Sequence, residues 1–519
     1  MPVKELSDFS EVDQYLAALT TNAGAIRAVS EAIQGTLGPK GLDCMLVDEY
    51  GGIIVTNDGV TILKTMDVTH PAARILISAA ESQEKQVGDG TTTATVIAGA
   101  LIAEGVNQII KGVPVVKVIA GIRYGVTKAL ELLKEEITLV EDLASPILKR
   151  IALVAAREHQ EIAELVFQAA NIIGANRLDK EGFHLADQII AIEGRESSLI
   201  KGTIINRIPL NGEMPTKLSQ ARIVIIDDAL EPLSFDSESL ATEAGFNYQL
   251  YQEQEFIKNI YKLADIGVKA VFTDRAISDL AEDLLTELGI IGVQGVAASE
   301  WRRLAELTGA RPIKKSTLSK NTEDLKRITG EIDDLIIDEA EKLIRIQADS
   351  EQNMVTVIIG AYTKEVVAER ERIAKDTASA LQAAWRGGVV PGGGSIELGI
   401  ARRLSEHLKR DLACYGYYCV IEALKRPLIQ ICANAGFNPL EKVEEVWGRQ
   451  EEFNICSIGI DCDTGKAENL IDLGIWDPYL VKYYAIKTAG EVGEAILRIN
   501  TIIKMKEVQM GGHHDKETY

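Results

Sequence analysis

The sequence predicts a mainly α-helical protein with an α/β insertion in its middle. Three observations carry this. Apolar residues recur at three- and four-residue spacing over long stretches near both ends. Compact β-branched runs cluster between residues 222 and 296. Amphipathic helical stretches alternate with those runs.

In chain order, residues 10–38 and 71–86 read as amphipathic helices rich in Ala, Ile and Leu, and the pattern continues over 91–111 and 115–138. Between them, "DCMLVDEYGGIIVTNDGVTIL" (43–63) reads as two short strands around "YGG" followed by a turn at "NDG". "RIVIIDD" (222–228), "VKAVFTD" (268–274) and "IIGVQGV" (290–296) read as strands. With the helical "ISDLAEDLLTELG" and "SEWRRLAELTG" they make an α/β domain of about 150 residues. The last part returns to long helices, most clearly in "KYYAIKTAGEVGEAILRINTII". The order is helical, α/β, helical. Composition does not choose between three consecutive domains and one helical domain interrupted by an insertion.

The 519 residues suit about three domains. At 46% hydrophobic and 25% charged the chain has an ordinary globular composition. A net charge of −22 with no basic cluster argues against a nucleic-acid partner. "MPVKELSDFSEVDQYL" has no apolar core of a secretory signal. Apolar runs such as "VIAGALIA" fall short of the ~20 residues that span a bilayer, so no membrane partner is expected. The six cysteines form no CxxC pair and read as reduced thiols of a cytoplasmic protein. The histidines form no HExxH, and His513 and His514 read as part of a disordered tail rather than a metal site.

"QVGDGTTTATVIAGAL" (86–101) places Asp89 between two glycines at the mouth of a helix. Glycine allows close backbone approach, and a helix N-terminus offers unpaired N–H groups that favour phosphate. An acidic residue there makes sense if a cation lies between it and the phosphate, and Mg²⁺ takes one or two carboxylates with phosphate oxygens and waters. "GDGTTT" therefore reads as a Mg²⁺-triphosphate cradle with Asp89 as metal ligand, or as a simple capped helix start. "GTLGPKG" (35–41) is a turn after a helix, "TNDGVT" (56–61) carries a hairpin signal, and "VVPGGGS" (389–395) has three glycines before a helix. There is no Walker A sequence and no GxGxxG.

Together "TLGPKGLDCMLVD", "TNDGVTIL", "HPAARILISAAESQEKQVGDGTTTATVIAGAL", "VVPGGGS" and "AIKTAGEVGEAILRIN" resemble a chaperonin, over about residues 12–506. "LGPKGLD", "HPAA" and "LGIWDPYLVKYYAIKTA" resemble the archaeal and eukaryotic cytosolic kind, group II, more than group I. The resemblance implies an equatorial domain from 1–137 and 389–519 and an intermediate hinge domain from 138–202 and 354–388. It also implies an apical domain over 203–353, with a lid protrusion at about 233–262. It implies an ATPase that folds unfolded client proteins inside a ring of identical subunits, two stacked rings of eight, with no separate co-chaperonin lid.

Residue by residue, the resemblance makes Asp89 the Mg²⁺ ligand. It makes Gly88, Gly90, Thr91, Thr92 and Thr93 the phosphate cradle, and Thr36, Leu37, Gly38 and Pro39 a first ATP-binding loop. Asn57 and Gly59 flank the nucleotide; Gly392 and Gly393 cover ribose and base; Asp477 is the acidic ribose contact. Asp58 and Asp376 are implied as the pair that orients the attacking water. A carboxylate near the γ-phosphate suits that work, because water is a poor nucleophile. With Asp376 on the hinge part, hydrolysis would be tied to hinge closure. The apical stretch spreads Phe246, Tyr248, Leu250, Tyr251 and Phe256 along a polar segment expected to contact lids or clients.

The chain departs from the group II pattern over 150–170, where the lysine associated with γ-phosphate sensing is missing and Arg157 and His159 are the nearby cations. Its tail also lacks the Gly-Met repeat. These departures point to the bacterial group III branch. A small-molecule kinase and a non-folding assembly scaffold are the alternative function classes.

Overall fold

The computed structural model describes residues 4–7, 10–13, 15–47, 51–233, 242–340, 342–348, 353–407 and 413–505. His513, His514 and part of the expected lid, 234–241, lie outside the described residues.

The helices of the first part are Tyr15–Gln34, Gly59–Thr65, Pro71–Val87, Thr91–Ile110 and Val115–Glu135. Their ends follow local chemistry. His70 caps the third of them, its Nδ1 accepting from the Ala72 amide at 3.2 Å, and Pro71 takes the first helical position, where no N–H is needed. Two expectations need correcting at the chain ends. Residues 10–13 are not helical: Ser10–Asp13 is a strand pairing antiparallel with Ile502–Met505, and the helix of the last part stops at Leu497. Long-range pairing of the two chain ends overrides local helical spacing here. The "NDG" stretch is likewise no hairpin turn. Strands Cys44–Val47 and Ile53–Thr56 do pair, but Asp58 is the N-cap of Gly59–Thr65.

The expected α/β segment holds a six-stranded sheet in the order Ile291–Val293, Val268–Thr273, Lys217–Ile226, Gly330–Asp338, Leu343–Gln347, Thr203–Ile205. The first three strands are parallel and the rest antiparallel. Both faces are covered, as a parallel sheet requires. Ile223 and Ile225 pack with Leu304 on one side, and Val224 and Ile226 with Ile260 and Leu285 on the other. Phe256, expected on the lid surface, lies in this second core: with Ile260 and Leu263 it forms the inward stripe of helix Glu243–Asp265. Phe246, Tyr248, Leu250 and Tyr251 are exposed.

Two further cores each join distant stretches of chain. One joins Leu19, Ile26, Leu101 and Ile122 to Leu404, Leu424, Ile486 and Leu497. The other joins Ile162, Val166 and Phe183 to Val357, Ile373 and Leu381. Its strand Val355–Ala361 lies between Ile189–Glu193 and Ser198–Lys201. The chain passes between cores in paired strands. Thr138 and Val389 exchange two backbone hydrogen bonds, of 2.8 and 2.9 Å, and the Gly202 amide donates to the Met354 carbonyl at 2.7 Å.

Candidate functional site

Among the described residues two helices longer than a single turn begin on a bare glycine. Thr91–Ile110 starts from Gly90 at φ 82°, and Ser395–Ser405 from Gly394 at φ 78°; neither has a side-chain cap. Positive φ favours glycine at both places. The first-turn amides of each helix therefore have no acceptor inside it.

Packing gathers the remaining segments around these two helix starts. A Cβ on Gly59 would lie 2.4 Å from Thr92 Oγ1, and one on Gly90 2.5 Å from Val481 Cγ1. The Asp477 carboxylate rests against Gly392, with Oδ1 3.1 Å from the position of a Cβ there. Asn434 Nδ2 donates to the carbonyls of Gln34 at 3.0 Å and Leu37 at 2.8 Å, which clamps the Thr36–Pro39 loop. On the same helix, Ile431 touches Gly38 and Leu428 touches Gly394. Ser379 packs on Gly88, seating helix Lys364–Gly387, which carries Asp376, over the turn that carries Asp89. Asn57 is half-buried in the connection that leads to Asp58, and Gly393 is half-buried beside Leu470.

The acids of this place repel one another. Burial holds the Asp376 carboxyl well above the usual carboxylate range, reinforced by the charges of Asp58, Asp89 and Glu84 and opposed by Arg157. Burial also raises Asp89; the Gly90 amide and Lys482 oppose this, while Asp477 and Asp58 add to it. Glu84 is pushed up to about 7, by burial first and then by Asp58 and Asp89. Asp58 is held differently. Its Oδ1 accepts from the Val60 amide at 3.2 Å, and its Oδ2 from the Thr61 amide at 2.9 Å and Thr61 Oγ1 at 2.6 Å. Asp376 has no hydrogen-bond partner among the described residues. Among those residues no three His, Cys, Asp or Glu converge tightly enough to enclose a metal by themselves. Uncompensated negative charge beside two donor-rich helix starts is the arrangement that takes a cation and phosphate together.

A cavity of about 300 Å³ lies beside the site, lined among others by Glu84, Gly88, Asp376, Ser379 and Gln382. A larger cleft of about 760 Å³, between residues 180–191 and helix Ala298–Thr308, includes none of Asp58, Asp89 and Asp376. The chemistry, not the volume, marks the site.

Three charged residues of the site were not assigned to it from the sequence or were left undecided. Glu84 has no local mark that separates it from Glu81. Lys482 has one: it sits in line with Ala485, Ile486 and Ala489, a lysine on the buried face of helix Tyr479–Leu497. Of the two cations in the departing stretch, Arg157 is the one that meets helix Lys364–Gly387. Its Nη1 lies 2.9 Å from Glu369 Oε1, and Arg157 and Glu158 both have left-handed backbone, φ 52° and 63°. His159 only begins the next helix, without capping it.

The TCP-1/cpn60 chaperonin family matches residues 29–507. The chain belongs to this chaperonin family. It is 32% identical to the thermosome subunit of Methanocaldococcus jannaschii over 94% of its length and 92% of that protein's. It is equally identical to the thermosome subunit beta of Archaeoglobus fulgidus, over 95% of this chain and 93% of that one. In three dimensions it is similar to the crystal structure of a group III chaperonin in the open state, with a TM-score of 0.85 and 41% identity, covering 94% of this chain and 99% of that one. The chaperonin is thus an ATP-hydrolysing, protein-folding machine with a helical equatorial part, a two-part intermediate part and an α/β apical part. Among the described residues one helix, Thr91–Ile110, is long and apolar enough to cross a membrane, a match that the sequence reading missed; 72% of that window is buried in the equatorial core.

Proposed function

We propose that the pocket between helix starts Thr91 and Ser395 binds Mg·ATP and that Asp58 and Asp376 activate the attacking water. The observation that carries this reading is the meeting of two uncapped, glycine-started helices with a cluster of mutually repelling carboxylates. Thr91–Thr93, Gly88 and Gly90 hold phosphate oxygens, and Thr36–Pro39, Asn57 and Gly59 close the pocket around them. Gly392, Gly393 and Asp477 take the nucleoside end. Asp89 is the ligand for Mg²⁺, which neutralises phosphate charge when bound. Asp58, locked by three donors, orients the water. Asp376, which has no hydrogen-bond partner among the described residues, accepts its proton when ionised. Because Asp376 rides on the hinge helix, turnover and hinge movement are coupled.

The supported domain division is 1–137 with 389–519, 138–202 with 354–388, and 203–353. The three sets of cores and the paired crossings at Thr138/Val389 and Gly202/Met354 support it. The exposed residues of helix Glu243–Asp265 serve the lid and clients. The rings, two stacked rings of eight in the cytoplasm, form through the Cys44–Thr56 hairpin. There Met45 opposes Val55 and Val47 opposes Ile53 on an exposed apolar face.

Asp376→Ala is expected to bind Mg·ATP with near wild-type affinity by calorimetry and to lose about a hundredfold or more in turnover. Wild-type turnover in this variant would remove Asp376 from the chemistry.

A further inference from the structure

One cation of the pocket wall is buried. Lys482 Nζ lies 2.7 Å from Glu397 Oε1 and 2.8 Å from Asp477 Oδ2. The Lys482 side chain is 8% exposed and that of Glu397 is fully buried. Among the described residues Glu397 Oε2 has no hydrogen-bond partner. These three residues come from three segments of the site. Glu397 is in the first turn of the helix started by Gly394, Asp477 is in the strand Trp476–Pro478 paired with Val389–Pro391, and Lys482 is in the helix that follows.

Stability does not explain this arrangement. Removing such charges from water costs more than their attraction commonly returns, and an apolar set of similar size would join the same segments. The unpartnered oxygen of Glu397 adds to that cost. What the triad supplies is direction. Pairing Oδ2 of Asp477 with Lys482 leaves Oδ1, which takes no hydrogen bond from the described residues, while the carboxylate as a whole lies beside Gly392, its two oxygens 3.1 and 3.2 Å from where a Cβ would sit. A free carboxylate at this half-buried place would rotate; this one is fixed, with lone pairs left over for hydroxyl donors. Among the described residues the Lys482 ammonium donates a hydrogen bond to Glu397 and is ion-paired with Asp477.

We propose that Lys482 is a positioning residue of the nucleotide pocket, holding Asp477 to accept hydrogen bonds from the sugar hydroxyls, so that preference for ribose over deoxyribose nucleotides depends on it. The inference rests on the Mg·ATP reading above. A site built to bind a hydroxyl rejects the analogue that lacks it, because the buried acceptor is left unpaired. A Lys482 that merely braces the fold would give no such sugar dependence.

The test compares ATP, 2′-deoxy-ATP and 3′-deoxy-ATP with Mg²⁺, by calorimetry and steady-state turnover, on the full-length protein. Lys482→Met alone strands Glu397, so the informative variant is K482M/E397Q, with D477N as a second route to the same loss. Wild type is expected to prefer ATP to at least one deoxy analogue by about tenfold or more. In both variants the ratio is expected to collapse to within about twofold, through a rise in KM for ATP with little change for that analogue. A folded K482M/E397Q protein with the wild-type ratio overturns the proposal, and so does a wild type indifferent to the sugar. If wild type binds none of the three nucleotides, the Mg·ATP reading itself has failed and this inference falls with it.

Discussion

Asp58 caps a helix and is also the residue proposed to orient the water, and substitutions can separate the two. Its three hydrogen bonds cap helix Gly59–Thr65. Asp58→Ala is expected to lose turnover and about 1 kcal/mol of stability with the cap. Asp58→Asn keeps a good cap, so it should lose turnover while melting near wild type; a large drop in its melting temperature would show that the charge, not the cap, holds the helix. Glu84 gives a pH test. Its folded value of about 7 lies above its ordinary 4.5, so the folded chain holds this proton more tightly than the unfolded one. Stability from this group is full below about 4.5 and is lost as pH rises through about 7. Without metal or nucleotide, Glu84→Gln should therefore be more stable than wild type at about pH 8, by up to about 3 kcal/mol, with the gain vanishing near pH 4. A pH-independent difference in denaturant melts would contradict this.

At the scale of elements, helix Lys364–Gly387 is bolted to the loop ahead of strand Ile189–Glu193. Gln382 Nε2 donates to the carbonyls of Leu178 and Phe183, each at 2.9 Å, and its Oε1 accepts from the Leu185 amide at 2.9 Å. Arg386 Nε donates to the Leu178 carbonyl at 2.8 Å. The far side of the same loop grips helix Ala298–Thr308 of the six-stranded domain. Arg177 Nη2 lies 3.0 Å from Glu306 Oε1, and Arg303 Nη1 donates to the Asp187 carbonyl at 3.0 Å. These contacts are the proposed route by which a shift of the Asp376-bearing helix would reach the sheet. Glu306→Ala weakens that grip without touching the pocket. ATP turnover should persist while Mg·ATP protects helix Glu243–Asp265 from protease less than in wild type. Equal protection would make the Arg177–Glu306 pair a bystander.

For the whole molecule, the proposed ring contact is the Cys44–Thr56 hairpin. A two-stranded ribbon is marginal alone, and this one turns Met45, Val47, Ile53 and Val55 outward while Leu46 and Cys44 pack on the equatorial core. Placing charges directly across from each other, as in Met45→Glu with Val55→Glu, should leave the helical content unchanged and yield single subunits in light scattering. Rings that survive both charges would move the contact elsewhere.

The sequence by itself determined the helical, α/β, helical order and the loops of the site, because helix periods, glycine turns and "GDGTTT" act over a few neighbouring residues. The start of helix Thr91–Ile110 lies where its glycine and threonines put it. Where local rules failed, a distant partner had intervened: Ser10–Asp13 became a strand because Ile502–Met505 lies beside it. Only the tertiary structure decided the electrostatics of the pocket. Glu84 and Asp376 are far apart in sequence, as are Glu397, Asp477 and Lys482, and apart from Lys482, which lies on an apolar stripe, each looks like a solvated charge in its own helix or strand. Charge interacts through space and through burial, which packing sets, and neither is written into the spacing of neighbouring residues.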